Sequence, residues 1–297
     1  MTSSRDIDLE LERARKLLNL TQGERFDTLS IKSRSPAEAS FLANNVSKMS
    51  PFIGNLIEAL IPQMLSEKAK STLEWRRRDP EFPDAGLYDT RGAYLDAGFE
   101  VKAWFPLATE MTGRFRESQN LLAGKKIDVV VVAWMLSDII FGEPEIVDVL
   151  IVPAIEVAKS RDSKYHNPPD YLCEEPQDTS DRARNLQQSN VAGYKLQDRK
   201  KLAQLQETVK KASPASRNSS TKAGIALTSK LQASAQYRLD TNFAKLSRVG
   251  NPAIEEFEER VLSRVFRGLR VDIWRSILRQ IEEDANKVPL PILDLYK

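Results

Sequence analysis

The run Lys126-Ile-Asp-Val-Val-Val-Val-Ala-Trp134 constrains the chain more than any other stretch. Four consecutive valines restrict χ1 and favour extended backbone. A strand that is apolar on both faces has to be covered on both faces, which places it inside a sheet with helices on either side. The predicted fold class is therefore α/β: a central mixed β-sheet flanked by helices, followed by a largely helical C-terminal region.

The remaining segments fit that frame. Ile7, Leu11, Ala14 and Leu18 have helical spacing. Ser35-Pro36-Ala37-Glu38 is a capping box with proline at the first helical position, predicting a helix to about residue 46. Ser50-Pro51 opens a second helix, with Pro62 bending or ending its first part. Residues 74–84 are charged and proline-rich and are expected to be a loop; 94–105 read as a strand and 107–122 as a helix. Residues 146–152, with Ile155 and Val157 beyond Pro153, suggest another strand. Residues 181–211 and 222–246 have helical patterns separated by a Ser-rich turn, and Asn251-Pro252 caps one long final helix to about 286. The organisation expected is an N-terminal helical region (1–50), a core (51–195) and a helical flanking region (196–297).

Composition removes several chemistries. His166 is the only histidine and Cys173 the only cysteine. A two-histidine zinc site, a cysteine cluster and an internal disulfide are excluded. Carboxylates remain as metal ligands, and their hard oxygens suit Mg²⁺, Mn²⁺ or Ca²⁺. No run is long and apolar enough to span a membrane, and the first residues lack an apolar signal core, so a cytoplasmic setting is expected. Between Lys195 and Arg248 twelve Lys/Arg face only Asp198, Glu207 and Asp240, in a chain whose net charge is +2. Such asymmetry suits a polyanion partner.

The chemistry-bearing constellation lies at Pro83-Asp84 … Glu100-Val101-Lys102. In 94–105, Phe99, Val101 and Ala103 alternate with Glu100, Lys102 and Trp104, so the charged pair shares one strand face. Charges within an apolar strand are costly unless used. Fifteen residues separate Asp84 from Glu100, enough for a hairpin turning at Arg91-Gly92. The acid facing the pair is Asp84 or, at the turn, Asp89; Asp96 is too close along the strand to sit across a hairpin. Phosphodiester hydrolysis needs this inventory: carboxylates for a metal, an activated water and a cation against developing charge.

This stretch resembles the PD-(D/E)XK nuclease motif, the core of most type II restriction endonucleases, over roughly 58–157. The resemblance implies a restriction-endonuclease-like core in which Asp84 and Glu100 hold Mg²⁺, with the Val101 carbonyl completing the shell. Lys102 would position the water, and Glu58, on the preceding helix, would be the helper acid found in many members. Mn²⁺ would substitute, and Ca²⁺ would bind without supporting cleavage. The implied activity is sequence-specific hydrolysis of double-stranded DNA by a homodimer, in a bacterial or archaeal cytoplasm alongside a cognate DNA methyltransferase. Phe257, Val265, Phe266 and Trp274 are candidates for the dimer contact.

For DNA contact, Arg76, Arg77 and Arg78 stand just before Asp84, where they would meet backbone phosphates. Arg182, Arg184, Gln187, Gln188 and Asn190 carry heads suited to base edges, and Lys195 begins the basic flank. Competing readings are a repair, recombination or phage nuclease of the same fold, a non-catalytic DNA-binding protein, and a helical scaffold with no nucleic acid.

Overall fold

The fold is taken from a computed structural model, described for residues 3–27, 29–32, 35–68, 72–79, 81–107, 110–117, 119–165, 199–217, 221–235 and 244–283. Residues 1–113, 126–153 and 253–297 form one compact unit; 114–125 and 154–252 form a second.

The first unit is built on a five-stranded sheet in the order β1 (Glu74–Arg77), β2 (Ala85–Tyr88), β3 (Tyr94–Trp104), β4 (Lys126–Leu136) and β5 (Pro144–Pro153). β1–β2–β3 is an antiparallel meander, β4 runs parallel to β3, and β5 is antiparallel to β4. The valine run is the heart of β4, with Val129, Val130 and Val131 fully buried. The acid within that run, Asp128, is also buried, and it is paired with Arg15 of helix α1 (Ser4–Asn19) at 2.8 Å. The α/β class with a mixed, helix-flanked sheet is thus observed.

Ser3 caps α1 through a capping box with Asp6. Leu11, Ala14 and Leu18 face inward, and the buried Glu10 accepts from Trp75 Nε1 at 3.0 Å. The two helices expected on either side of Ser50-Pro51 are one helix, α2 (Pro36–Lys68), which also runs through Pro62. Its stripe Val46, Ile53, Ile57, Ile61, Leu65 is buried along the whole length, and that packing outweighs the hydrogen bonds two prolines remove. Trp75, Phe99 and Val101 line the face toward α1 and α2: Trp75 stacks on Phe99 at 5.0 Å, and Gly54 of α2 packs near Ala103. Glu100 and Lys102 point to the opposite face, where Trp104 meets Phe257 of α5 (Pro252–Ser263).

Several elements differ from expectation. Residues 74–77 are an edge strand rather than loop, because Trp75 supplies an apolar anchor opposite Leu87. The single C-terminal helix expected is instead two, α5 and α6 (Val271–Glu283), separated by a hairpin of Val265–Phe266 and Leu269–Arg270. Its turn places Arg267 and Gly268 at φ of 48° and 85°, a left-handed pair that no helix continues through. Phe257 and Trp274, candidates for a subunit contact, are buried in this chain's own core; Val265 is exposed.

Among the described residues of the helix expected over 107–122, only Gln119–Leu122, in the second unit, are helical (α3), and Ala154–Tyr165 form helix α4, not strand. Arg161, fully buried, accounts for the first. Its Nη1 donates to the carbonyls of Phe115 and Glu117 at 3.0 and 3.1 Å, and its Nε to Asp162. Asp162 also accepts from Gln119. The irregular segment before α3 is therefore pinned by a helix. Among the described residues no helix is long and apolar enough to cross a membrane.

Candidate active site

The hairpin β2–β3 turns through Asp89–Ala93. Asp89 Oδ1 accepts from the N–H groups of Arg91 and Ala93, both at 2.9 Å, and Oδ2 meets the Arg91 guanidinium. These contacts, led by the Ala93 N–H, hold its carboxyl below the usual carboxylate range. Gly92 takes the left-handed position, φ 80°. Asp89 is thus a turn residue. Asp96, at φ 49°, is exposed at the start of β3.

Asp84 stands immediately before β2 and reaches toward β3. Its Oδ2 accepts the Val101 N–H at 2.7 Å and lies 3.6 Å from Lys102 Nζ. Lys102 Nζ in turn donates to Glu100 Oε1 at 2.5 Å. Only 18%, 11% and 16% of the Asp84, Glu100 and Lys102 side chains are exposed, so the three form one half-sheltered cluster. An extended residue presents its N–H and C=O to the same strand edge. The Val101 carbonyl therefore leaves β3 on the side where Asp84 sits.

Two glycines make room for this approach. A Cβ at Gly98 would stand 2.1 Å from the Ala85 carbonyl oxygen and 2.9 Å from Pro83 Cγ, so Gly98 lets the chain around Asp84 close onto β3. A Cβ at Gly113 would meet the Lys102 stem at 3.3 Å. Sequence reasoning passed over the role of Gly98, although glycine inside a strand pattern is the signal for a close backbone approach.

Burial alone would lower the Lys102 pKa. The negative charges of Glu100 and Asp84, the hydrogen bond to Glu100 and the charge of Glu58 outweigh it and hold the ammonium well above the ordinary lysine value. Lys102 is a cation here. Glu58, half-buried on α2, lies within electrostatic reach of the cluster: burial raises its carboxyl above the usual range, Lys102 pulls it down and Asp84 pushes it up again.

The expected DNA-contacting arginines divide. Arg76 and Arg77 are exposed, paired with Glu74 at 2.6 Å and Asp79 at 2.7 Å. Arg78 is engaged within the hairpin. His166, Arg182, Arg184, Gln187, Gln188, Asn190 and Lys195 lie outside the described residues.

No protein-family model, curated protein or solved structure matches the chain. Among the described residues no group of three or more Asp, Glu, His or Cys side chains is arranged to hold a metal ion. What the cluster offers is two carboxylates beside β3 and a main-chain carbonyl of that strand, all hard oxygen donors of the kind Mg²⁺ takes together with water and phosphate oxygens. A lysine stands beside them.

Proposed function

We propose that the protein is a Mg²⁺-dependent endonuclease of double-stranded DNA, acting in the manner of a type II restriction enzyme. The observation that carries this reading is the convergence on one Asp84 oxygen of the Val101 N–H and the Lys102 ammonium, with Glu100 held by that same ammonium. The three residues of the nuclease resemblance thus come to one place, Asp84 from just before β2 and the other two from β3. The meander leading into a parallel buried strand supports the same reading.

Asp84 and Glu100 would bind the metal, with the Val101 carbonyl as a further ligand and Glu58 as the helper acid. Bound Mg²⁺ would neutralise the phosphate and make a coordinated water nucleophilic. Lys102, being protonated, serves as hydrogen-bond donor and charge partner: it orients the attacking water and steadies the phosphate oxygens as charge builds up. Glu100 and Asp84 hold the ammonium until substrate arrives. Arg76 and Arg77 meet backbone phosphates on the approach. A homodimer on a two-fold symmetric site, a cognate methyltransferase and a cytoplasmic location complete the proposal.

The test is digestion of a defined unmodified plasmid with Mg²⁺, followed by sequencing of the ends. Discrete ends at one short sequence support the reading. Intact plasmid, or ends scattered without sequence preference, contradicts a restriction enzyme.

A further inference from the structure

Arg78 follows β1 directly, and its side chain is 13% exposed, against 43% and 54% for Arg76 and Arg77. Its stem lies in a trough that Gly86 leaves open: a Cβ at Gly86 would stand 2.3 Å from Arg78 Cδ. The guanidinium carbon lies 3.9 Å from the centre of the Tyr94 ring. Nη1 donates to the Tyr88 hydroxyl at 2.8 Å, and Nη2 pairs with Glu81 at 2.9 Å. The main chain of the same residue holds the connection to β2. Its N–H donates to the Asp84 carbonyl at 2.8 Å, and its carbonyl accepts from Glu81 N–H at 2.7 Å. Asp84 is thus gripped from one side by Arg78 and seated on the other by the gap at Gly98.

We propose, resting on the nuclease reading, that Arg78 is the positioning residue for Asp84: packed over Gly86 against Tyr88 and Tyr94, it fixes the carboxylate that completes the site and does not itself meet DNA. The guanidinium is stacked on one ring, bonded through Nη1 to the other's hydroxyl and paired through Nη2 with Glu81, and its Nε is buried, so the head is turned into the sheet rather than outward. Three consecutive arginines then divide by role, with Arg76 and Arg77 outward and Arg78 inward. A small displacement of Asp84 is costly because catalysis depends on placement of the reacting groups within an ångström.

The experiment compares the full-length wild type with Arg78→Ala, Arg78→Lys and Tyr88→Phe. It reads amide hydrogen exchange at Val101, whose N–H is held by Asp84, together with kcat and KM for Mg²⁺-dependent duplex cleavage. In Arg78→Ala, Val101 should exchange about tenfold faster or more, while Val129 to Val132 keep their protection. kcat should fall by about 10- to 100-fold with KM little changed. Lysine, whose stem refills the trough, should restore most of both, and Tyr88→Phe should move both in the same direction by less. Should Arg78→Ala fail to fold, the two milder variants carry the same comparison. Wild-type Val101 protection in Arg78→Ala, or in Tyr88→Phe should the alanine variant not fold, overturns the proposal, as does a rise in KM with kcat intact, which would make Arg78 a DNA contact. If the wild type cleaves no DNA, the nuclease reading fails, and the Val101 amide still judges the positioning.

Discussion

Lys102 has two acid partners at once, Glu100 at 2.5 Å and Asp84 at 3.6 Å, and removing it should separate chemistry from binding. Lys102→Ala and Glu100→Ala are each expected to lower cleavage by about 10²- to 10⁴-fold, while duplex binding measured with Ca²⁺ persists. Retained cleavage in either variant would place the site elsewhere. Glu58 gives a prediction in stability. Its folded carboxyl titrates above the ordinary glutamate value, chiefly through burial. The folded state therefore binds the proton more tightly than the unfolded chain does, and the resulting stabilisation is fully present below the unfolded glutamate pKa. It is lost as pH rises through the raised value. Glu58→Gln should thus gain stability relative to wild type at neutral pH, with the gain shrinking toward pH ~4, as read by urea denaturation at both pH values. At this scale Glu100 and Lys102 were legible because the strand period of two puts them on one face. The choice between Asp84 and Asp89 was not, since both flank the same hairpin. It turns on the Arg91 and Ala93 N–H groups, which claim Asp89 for the turn.

At the scale of elements, the hairpin is the device that assembles the site, and Gly98 is its closest point. Gly98→Ala forces a Cβ against the Ala85 carbonyl. Overpacking of this kind costs about 1–3 kcal/mol, and the shift it imposes on Asp84 should lower kcat by about 100-fold. A variant that keeps wild-type kcat would show that the approach of Pro83–Ala85 to β3 is immaterial. The elements that sequence reasoning misplaced share a cause. α2 persists through Pro51 and Pro62 because its buried stripe is continuous, and local breakers cannot report that packing. In the C-terminal segment, Val265, Phe266 and Leu269 preserve an apolar helical period across a hairpin, and Gly268 was the one local sign of the turn. The segment before α3 takes its shape from Arg161, about forty residues later, which is information no window of sequence contains.

For the whole molecule, the α/β class followed from the order of helical and strand patterns around one strand with four consecutive valines. The division of the chain did not follow, since the segment from Ala253 onward joins the sheet unit although 99 residues separate it from β5. Net charge is nearly balanced, so the proposed affinity for DNA would have to come from local surfaces such as Arg76 and Arg77. Arg77→Ala should weaken binding to all duplex sequences alike and reduce the slope of log K against log salt by about 1. An unchanged slope would remove Arg77 from the DNA surface. The central claim, that Asp84 is the acid that joins Glu100 and Lys102 in DNA cleavage, is tested most directly by the rate of Mg²⁺-dependent plasmid linearisation in Asp84→Ala beside Asp89→Ala. The account predicts that the first variant loses cleavage and the second keeps it, with a hairpin that melts at lower temperature. Cleavage that survives the loss of Asp84 and disappears with Asp89 would contradict it.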